Sequence, residues 1–425
     1  MVLAMTVRFL HIADIHLGYD HYNNPERTKD FFFSLEDVIR RYALEPAVDF
    51  VLIAGDLFEH RDIKPSTLNQ AEIVLKRLKE QGIPVLAIEG NHDNRPFGVK
   101  TSWLKYLEGK GWLYLLEPEA DNDGNIILHP WHEHKGAYCD LPCGVRVIGT
   151  TWYASQAARV LPRLATAITA LPKDVDTQIL LLHHGLEGQI ARYEGALRYS
   201  EVLPLHHAGI DYLALGHIHK NYSLEGWIFN PGSLEANNMG EYDIPRGAYF
   251  VTVEGGEIKA ELVQDYRQRP HVGLEIAVKA DETPQQVRDW ILNRVEAAQI
   301  DPQERVMLDV KVTGELGFPA HELDQRRLQA QLDQMTGALV TRITVNACQR
   351  LLSGDPTLNR SMPRRELERR VFEDLIASHA SYRSQSQELA ELCLTLKEMQ
   401  QSGSPVEAMY ELAEAQLLAA HPKNP

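Results

Sequence analysis

Cysteine, long apolar runs and positive charge are scarce in this chain. It has only four cysteines in 425 residues, which argues against a disulfide framework and favours a reducing compartment such as the cytoplasm. No apolar run approaches the roughly 18 residues of a membrane span, so we expect no membrane segment. Acidic residues outnumber Lys and Arg by 59 to 43, giving a net charge of −16, which counts against tight, autonomous binding to nucleic acid.

The length and patterning predict two or three domains. Residues 1–265 alternate apolar strand patterns with helical patterns, which predicts an α/β fold of two packed sheets flanked by helices. Residues 266–352 show a βαβαβ pattern and are expected to form a small α/β domain. Residues 353–425 read as helices with apolar positions at helical spacing. That helical segment could dock on a partner, or it could pack on its own protein.

Short polar motifs each follow a run that is typical of a buried strand. In layered α/β sheets, ligands collect beyond the carboxyl ends of the strands, so motifs that are far apart in the sequence are expected to meet there. The motifs are Asp14-Ile15-His16, Gly55-Asp56, Gly90-Asn91-His92-Asp93, His183-His184, Gly216-His217-Ile218-His219 and Asn230-Pro231-Gly232-Ser233.

These motifs supply oxygen and nitrogen ligands without a thiolate, which suits Mn²⁺, Fe²⁺ or Zn²⁺ better than Ca²⁺. Two such ions about 3.5–4 Å apart can clamp a phosphoryl group and activate water. Asp56 is the natural candidate to bridge them. The candidate oxygen ligands are Asp14, Asp56 and Asn91, and the nitrogen ligands are His16, His183, His217 and His219.

Two points have alternatives. His183 and His184 cannot both face the site, because neighbouring strand residues point to opposite sides. His183 is preferred, with His184 as the alternative. The segment 117–144 could hold a structural zinc or be a plain polar loop; its candidate ligands are His129, His132, His134, Cys139 and Cys143.

The order D-x-H, G-D, G-N-H-D, strand-end His and G-H-x-H resembles the calcineurin-like metallophosphoesterases over residues 7–265. Within that superfamily the chain is most similar to the nuclease subunit of SbcC–SbcD-type complexes, which repair double-strand breaks. The closer resemblance rests on Gly55-Asp56-Leu57-Phe58, Lys64-Pro65-Ser66, Leu182-His183-His184-Gly185 and Pro231-Gly232-Ser233-Leu234-Glu235.

The resemblance implies a role for each motif residue. One metal would be held by Asp14, His16 and His219, and the other by Asn91, His183 and His217. Asp56 would bridge the two. The expected cofactor is therefore a pair of divalent ions, with Mn²⁺ as the preferred metal. His92 would protonate the leaving oxygen, and Asp93 would orient its ring. Glu59 departs from the family pattern, in which a His or Asp often stands near this position and a His can touch phosphate. A carboxylate there would repel phosphate, so His60 or Arg61 could take the phosphate-positioning role.

The implied function is cleavage of DNA, as a 3′→5′ exonuclease on duplex ends and an endonuclease on single strands or hairpins. The implied partner is an SbcC-like ATPase docked by the C-terminal helices, and a homodimer is also considered. Residues 266–352 match the position of the family's capping domain; the alternative is a packing domain that does not contact the substrate. Basic residues near the motifs could contact DNA or form a solvated face; they are Arg61, Lys64 and Arg95, with Lys100, Lys105 and Lys220. The alternatives are action on a nucleotide, cyclic nucleotide or phosphoprotein, and a catalytically idle scaffold.

Overall fold

The computed structural model describes residues 6–95, 98–99, 101–189, 196–349, 363–377 and 385–420. The chain divides into two compact units, Met1–His271 and Val272–Pro425. This division falls a few residues after the predicted boundary at 265. It leaves 266–352 and 353–425 together, so the three-part division stays a prediction.

Two six-stranded sheets form the first unit. The strands are β1 (Val7–Ile12), β2 (Phe50–Ala54), β3 (Val85–Ile88), β4 (Tyr114–Leu115), β5 (Glu119–Ala120), β6 (Ile126–Ile127), β7 (Tyr138–Asp140), β8 (Val145–Ile148), β9 (Thr177–His183), β10 (Tyr212–Gly216), β11 (Tyr222–Leu224), β12 (Ile228–Asn230), β13 (Ala248–Glu254) and β14 (Glu257–Val263). One sheet has the order β14-β13-β1-β2-β3-β4 and the other β11-β12-β10-β9-β8-β7, while β5 and β6 pair separately. The central strands of both sheets are parallel.

The inner faces of the two sheets pack against each other, because the strands are apolar on both sides. Phe9 stacks on Phe50 with ring centroids 4.8 Å apart, and Tyr212 of the opposite sheet meets Phe9 edge-on at 5.3 Å. Leu10 points the other way and packs in the cluster beneath the outer helices. This alternation explains why the strand sequences are apolar throughout.

Helices cover the outer faces. They are α1 (Pro25–Ile39), α2 (Pro65–Glu80), α3 (Trp103–Gly109), α4 (Ala157–Thr169) and α5 (Tyr199–His207). The side chain of Asn24 caps α1 by accepting from the backbone of Glu26 and Arg27. Helices α1 to α3 pack on the sheet that contains β1, and α4 and α5 on the sheet that contains β9. The predicted α/β class with two sheets and flanking helices is confirmed.

The second unit has its own apolar core and sheet. Its elements are β15 (His271–Val278), α6 (Pro284–Ala297), β16 (Met307–Leu316), α7 (Gln325–Thr336), β17 (Val340–Val345), β18 (Cys348–Gln349), α8 (Arg364–Ala377), α9 (Ser386–Gln401) and α10 (Val406–Ala420). The sheet order is β15-β16-β17, and β18 also pairs with β16. These elements match the predicted βαβαβ pattern and helical end. Within the described part of the chain, every helix is too short or too polar to cross a membrane.

Candidate metal centre

The polar motifs converge where strands of both sheets end. Asp14 and Asp56 follow the parallel neighbours β1 and β2, and Asn91 follows β3. From the other sheet, His183 ends β9 and His217 follows its parallel neighbour β10. The backbone holds the first two motifs side by side, because the amide of Asp14 donates to the carbonyl of Gly55 at 3.2 Å.

Several of these residues have left-handed backbone conformations. The φ angles are 52° at Asp14, 52° at His16, 54° at Asp56 and 82° at His217. Such a conformation costs about 1–3 kcal/mol at a non-glycine residue and persists only where the surrounding structure imposes it. Its recurrence at four candidate ligands shows that the fold is strained to aim these side chains at one place.

One set of candidate ligands is Asp14, His16 and His219, whose ligand atoms lie within 4.8 Å of one another. The Nε2 atoms of His16 and His219 are 3.2 Å apart. The opposite ring nitrogens face carboxylates: Nδ1 of His16 lies 2.7 Å from Glu59, and Nδ1 of His219 lies 3.4 Å from Glu241. A carboxylate favours the proton on the nitrogen that faces it, so the two Nε2 lone pairs point at each other. This arrangement fits a cation between them.

A second set combines Asp56, His183 and His217, also within 4.8 Å, with Asn91. Nδ1 of His183 lies 2.7 Å from the carbonyl of Ala54 and donates to it, which leaves the lone pair on Nε2. That Nε2 is 3.0 Å from Asp56 Oδ2 and 3.1 Å from Asn91 Oδ1. Asn91 Oδ1 is also 2.8 Å from Nδ1 of His217. Acceptor atoms that crowd in this way fit a second cation.

The electrostatics of the second set point the same way. Burial lowers the pKa of His183, but the charge and hydrogen bond of Asp56, together with Asp14 and the carbonyl of Ala54, raise the pKa to about 9. Burial raises the pKa of Asp56, but His183, His16 and His92 together hold the pKa of that carboxyl below its usual range. For His217, burial and then the charge of His183 lower the pKa to about 3. The pocket therefore attracts positive charge around an ionised Asp56.

His92 lies beside the second set. Its backbone amide donates to Asp56 Oδ1 at 2.9 Å, and its ring Nδ1 donates to the carbonyl of Glu59 at 2.8 Å. The side chain is 37% exposed. With Nδ1 held by a carbonyl, Nε2 is the nitrogen left for chemistry outside the protein.

The structure corrects the predicted role of Asp93. Its carboxylate accepts from the backbone amides of Gly90 at 2.8 Å, Leu57 at 2.7 Å and Phe58 at 3.3 Å. Burial, followed by the charge of Asp56, raises the pKa of Asp93 to about 7. Asp93 therefore ties the loop after β3 to the loop after β2, and the carbonyl of Glu59 orients the ring of His92.

The Glu59 carboxylate is directed inward. The side chain is only 3% exposed, and besides His16 it contacts His21, whose Nε2 is 3.0 Å from Oε1. The ring of His60, one of the suggested replacements at this position, lies 3.1 Å from Asp20. The expected repulsion of phosphate by Glu59 therefore does not follow, because the carboxylate lies behind His16.

His184 and the 117–144 segment both lie apart from the two ligand sets. The ring nitrogens of His184 lie 3.2 Å from the carbonyl of Gly185 and 3.3 Å from that of Ala154, so this ring does not join the ligand sets. Among the described residues, the groups that could hold a metal involve none of the histidines or cysteines of 117–144. The segment contains the short strands β5, β6 and β7 joined by turns.

The basic residues that could contact DNA fall into two groups. Arg61 is exposed beside the centre and donates to the carbonyl of Asn91 at 3.2 Å. Exposed Lys64 precedes α2 and borders a cavity of about 370 Å³ that also reaches Leu17. Arg95 instead pairs with Glu117 and lies 3.8 Å from Glu89.

Two further lysines are also engaged. Lys105 pairs with Glu108 at 2.6 Å, and Lys220 donates to the carbonyl of Gln189 at 3.2 Å. Lys100 lies outside the described residues. Among the described candidates, Arg95 and Lys105 are therefore engaged by acidic side chains, whereas Arg61 and Lys220 donate to backbone carbonyls and Lys64 is exposed.

Sequence patterns missed Trp152 and Glu241. The ring of Trp152 lies 5.1 Å from that of His217, and the same residue borders a groove of about 580 Å³ that also includes Arg95 and Lys105. Trp152 thus connects the centre to the groove. Neither residue ends a strand or belongs to a recognisable motif, so their positions follow only from the folded chain.

Comparison with known proteins agrees with this geometry. The calcineurin-like phosphoesterase model matches residues 7–221, half of the chain. The DNA double-strand break repair protein Mre11 of Archaeoglobus fulgidus is 33% identical over 245 residues, covering 55% of this chain and 52% of that protein. Mre11 of Haloferax volcanii is 28% identical over 319 residues, covering 74% of this chain and 63% of that protein.

The uncharacterized metallophosphoesterase YhaO of Bacillus subtilis is 30% identical over 280 residues, covering 62% of this chain and 60% of that protein. The chain spans between about half and two thirds of the length of these relatives. Because the family model matches half of the chain and the ligand sets lie at the strand ends within that match, the chain belongs to the calcineurin-like phosphoesterase family.

Proposed function

We propose that this chain is a two-metal DNA phosphodiesterase, the nuclease subunit of an SbcC–SbcD-type repair complex. The observation that carries the proposal is the pair of neighbouring ligand sets: Asp56 belongs to one set, and its backbone carbonyl accepts from the amide of His16, a member of the other, at 3.1 Å. The similarity to Mre11 proteins supports DNA as the substrate. The finer activities, 3′→5′ exonuclease on duplex ends and endonuclease on single strands, belong to the same proposal.

The residues present fit two divalent ions with mixed nitrogen and oxygen ligands, for which Mn²⁺ is suited. Asp14, His16 and His219 would hold one ion, Asn91, His183 and His217 the other, and Asp56 would contact both. Bound there, the ions would supply charge stabilisation for the phosphoryl oxygens and lower the pKa of a water nucleophile.

The chain's own groups provide the remaining steps. In its protonated form, His92 donates the proton at Nε2 to the leaving oxygen and becomes neutral, while the carbonyl of Glu59 keeps the ring in place through Nδ1. Exposed Arg61 offers a guanidinium to a backbone phosphate beside the centre. Trp152 offers a ring at the mouth of the groove on which a base of an opened strand can stack.

The test of the chemistry compares substrates under one set of conditions. A duplex oligonucleotide labelled at its 5′ end should be shortened from the 3′ end in Mn²⁺ and stay intact in EDTA. Hydrolysis of cyclic or free nucleotides with DNA left intact would favour the nucleotide-directed alternative. No turnover even of bis(p-nitrophenyl) phosphate would indicate an idle scaffold.

The C-terminal helices support the proposed ATPase partner. On α8, Leu367, Val371 and Leu375 are each four residues apart and 43–45% exposed, so they form an apolar stripe on one helical face. On α9, Leu392 and Leu394 are buried instead. Amphipathic helices of this kind dock in apolar grooves of a partner, here an SbcC-like ATPase.

This docking can be tested separately from the chemistry. Deleting residues 355–425 should leave hydrolysis of bis(p-nitrophenyl) phosphate unchanged and abolish copurification of the ATPase. Leu367→Asp together with Val371→Asp should do the same in the full chain. Unfolding of the first unit on deletion, or retained binding by the double variant, would contradict docking by this stripe.

A further inference from the structure

The two candidate metal positions differ in what lies behind their histidines. In the first position, both histidines face carboxylates: His16 faces Glu59 at 2.7 Å and His219 faces Glu241 at 3.4 Å. In the second position, His183 is backed by the neutral carbonyl of Ala54 at 2.7 Å. The partner of a ligating imidazole sets its tautomer and its basicity, so this difference bears on metal affinity.

Both carboxylates are held in place by the fold. Glu59 is 3% exposed, and its backbone amide donates to the carbonyl of Leu17 at 3.0 Å. Glu241 accepts from the backbone amide of Asn237 at 2.9 Å and from the side chain of Asn238 at 2.6 Å. Fixed partners can orient a ring without losing conformational entropy when an ion binds.

The charge balance reinforces the difference. Glu59 and Glu241 add two carboxylates to the first position besides its own ligand Asp14. Near the second position, Asp93 accepts from backbone amides, and Asp14 accepts from the backbone amide of His217 at 2.9 Å. A divalent ion in the first position is therefore surrounded by more negative charge in a buried environment, where charges interact strongly.

We propose that Glu59 and Glu241 are positioning residues that make the Asp14–His16–His219 position bind its divalent ion before the Asn91–His183–His217 position. The inference rests on the proposed two-metal function. Glu59 is the residue that departs from the family pattern, and its inward direction gives that departure a use. The affinity of the second, weaker position would then set the metal concentration that activity requires.

The test is a Mn²⁺ titration of the full chain, read by calorimetry and by electron paramagnetic resonance. The wild type should bind one ion tightly, with an uncoupled spectrum, before a second ion gives an exchange-coupled spectrum. Glu59→Gln and Glu241→Gln should each weaken the tighter class about 10–100-fold and leave the weaker class unchanged. Two independent variants keep the test valid if one of them fails to fold.

Glu108→Gln is the matched control. It removes a fully buried carboxylate that contacts Lys105 and Trp131 but no candidate ligand, so the tighter class should not change. Two equal sites in the wild type, or a tighter class that neither variant alters, would overturn the inference while leaving the two-metal function intact. Absence of any Mn²⁺ binding in the wild type would overturn both.

Discussion

Replacing His92 with Gln separates proton donation from metal binding. In the structure the backbone amide of His92, not its ring, contacts Asp56, at 2.9 Å. The ring adds a hydrogen bond from Nδ1 to the carbonyl of Glu59 and an edge-on contact with His16 at 4.8 Å between centroids. The substitution keeps the amide, so the number of bound ions should not change.

The cost should appear in the rate of the chemical step. A positioned proton donor is worth about 10²–10⁴-fold, or roughly 2.7–5.4 kcal/mol at 1.36 kcal/mol per factor of ten. Cleavage of DNA has a poor alkoxide leaving group and should show the full loss. Bis(p-nitrophenyl) phosphate releases nitrophenolate, which needs no proton, so its hydrolysis should slow much less.

The assay measures Mn²⁺ content and both rates for His92→Gln and for a control, His207→Gln. The control changes an exposed histidine of α5 that belongs to neither candidate ligand set. The control should match the wild type in all three measurements. Equal losses on DNA and on the activated ester, or loss of bound Mn²⁺, would refute proton donation and make His92 a structural residue.

Two other predictions follow from the packing around the centre. Gly90→Ala should abolish activity and metal binding, because the added Cβ would lie 2.1 Å from Asp56 Oδ1; Gly109→Ala, with open space, is the control for both readouts. Burial lowers the pKa of His11 to about 3, so wild-type stability should fall as pH drops below about 6.5. In urea unfolding, His11→Gln should have a lower free energy of unfolding than the wild type at pH 7. Between pH 7 and pH 5, the variant should lose less of that free energy than the wild type; an equal loss would contradict this.

The positions of the candidate ligands could be predicted because they depend on strand ends. Apolar runs such as the one before Asp56 form buried parallel strands, and parallel strands bring their carboxyl ends to one edge. That logic needs only the local pattern and the layered fold. It therefore placed Asp14, Asp56, Asn91 and His183 together although they come from different sheets.

The remaining features depend on side-chain directions that no pattern encodes. Glu59 was expected to face substrate, but it turns behind His16, and Asp93 turns away from His92 toward backbone amides. Arg95 was a candidate DNA contact, but it pairs with Glu117, which lies on another segment. Such pairings form only when distant loops meet, so the sequence alone could not distinguish an available cation from an engaged one.

The central claim is that Asp56 joins two divalent ions that cleave DNA. The most direct measurement is the Mn²⁺ stoichiometry of Asp56→Asn, made together with cleavage of a labelled duplex. Asn keeps the size of the side chain but removes the charge that is buried beside His183 at 3.0 Å. We predict about two ions and Mn²⁺-dependent cleavage for the wild type, with one ion or none and no cleavage for the variant. Two bound ions and full cleavage by the variant would contradict the account.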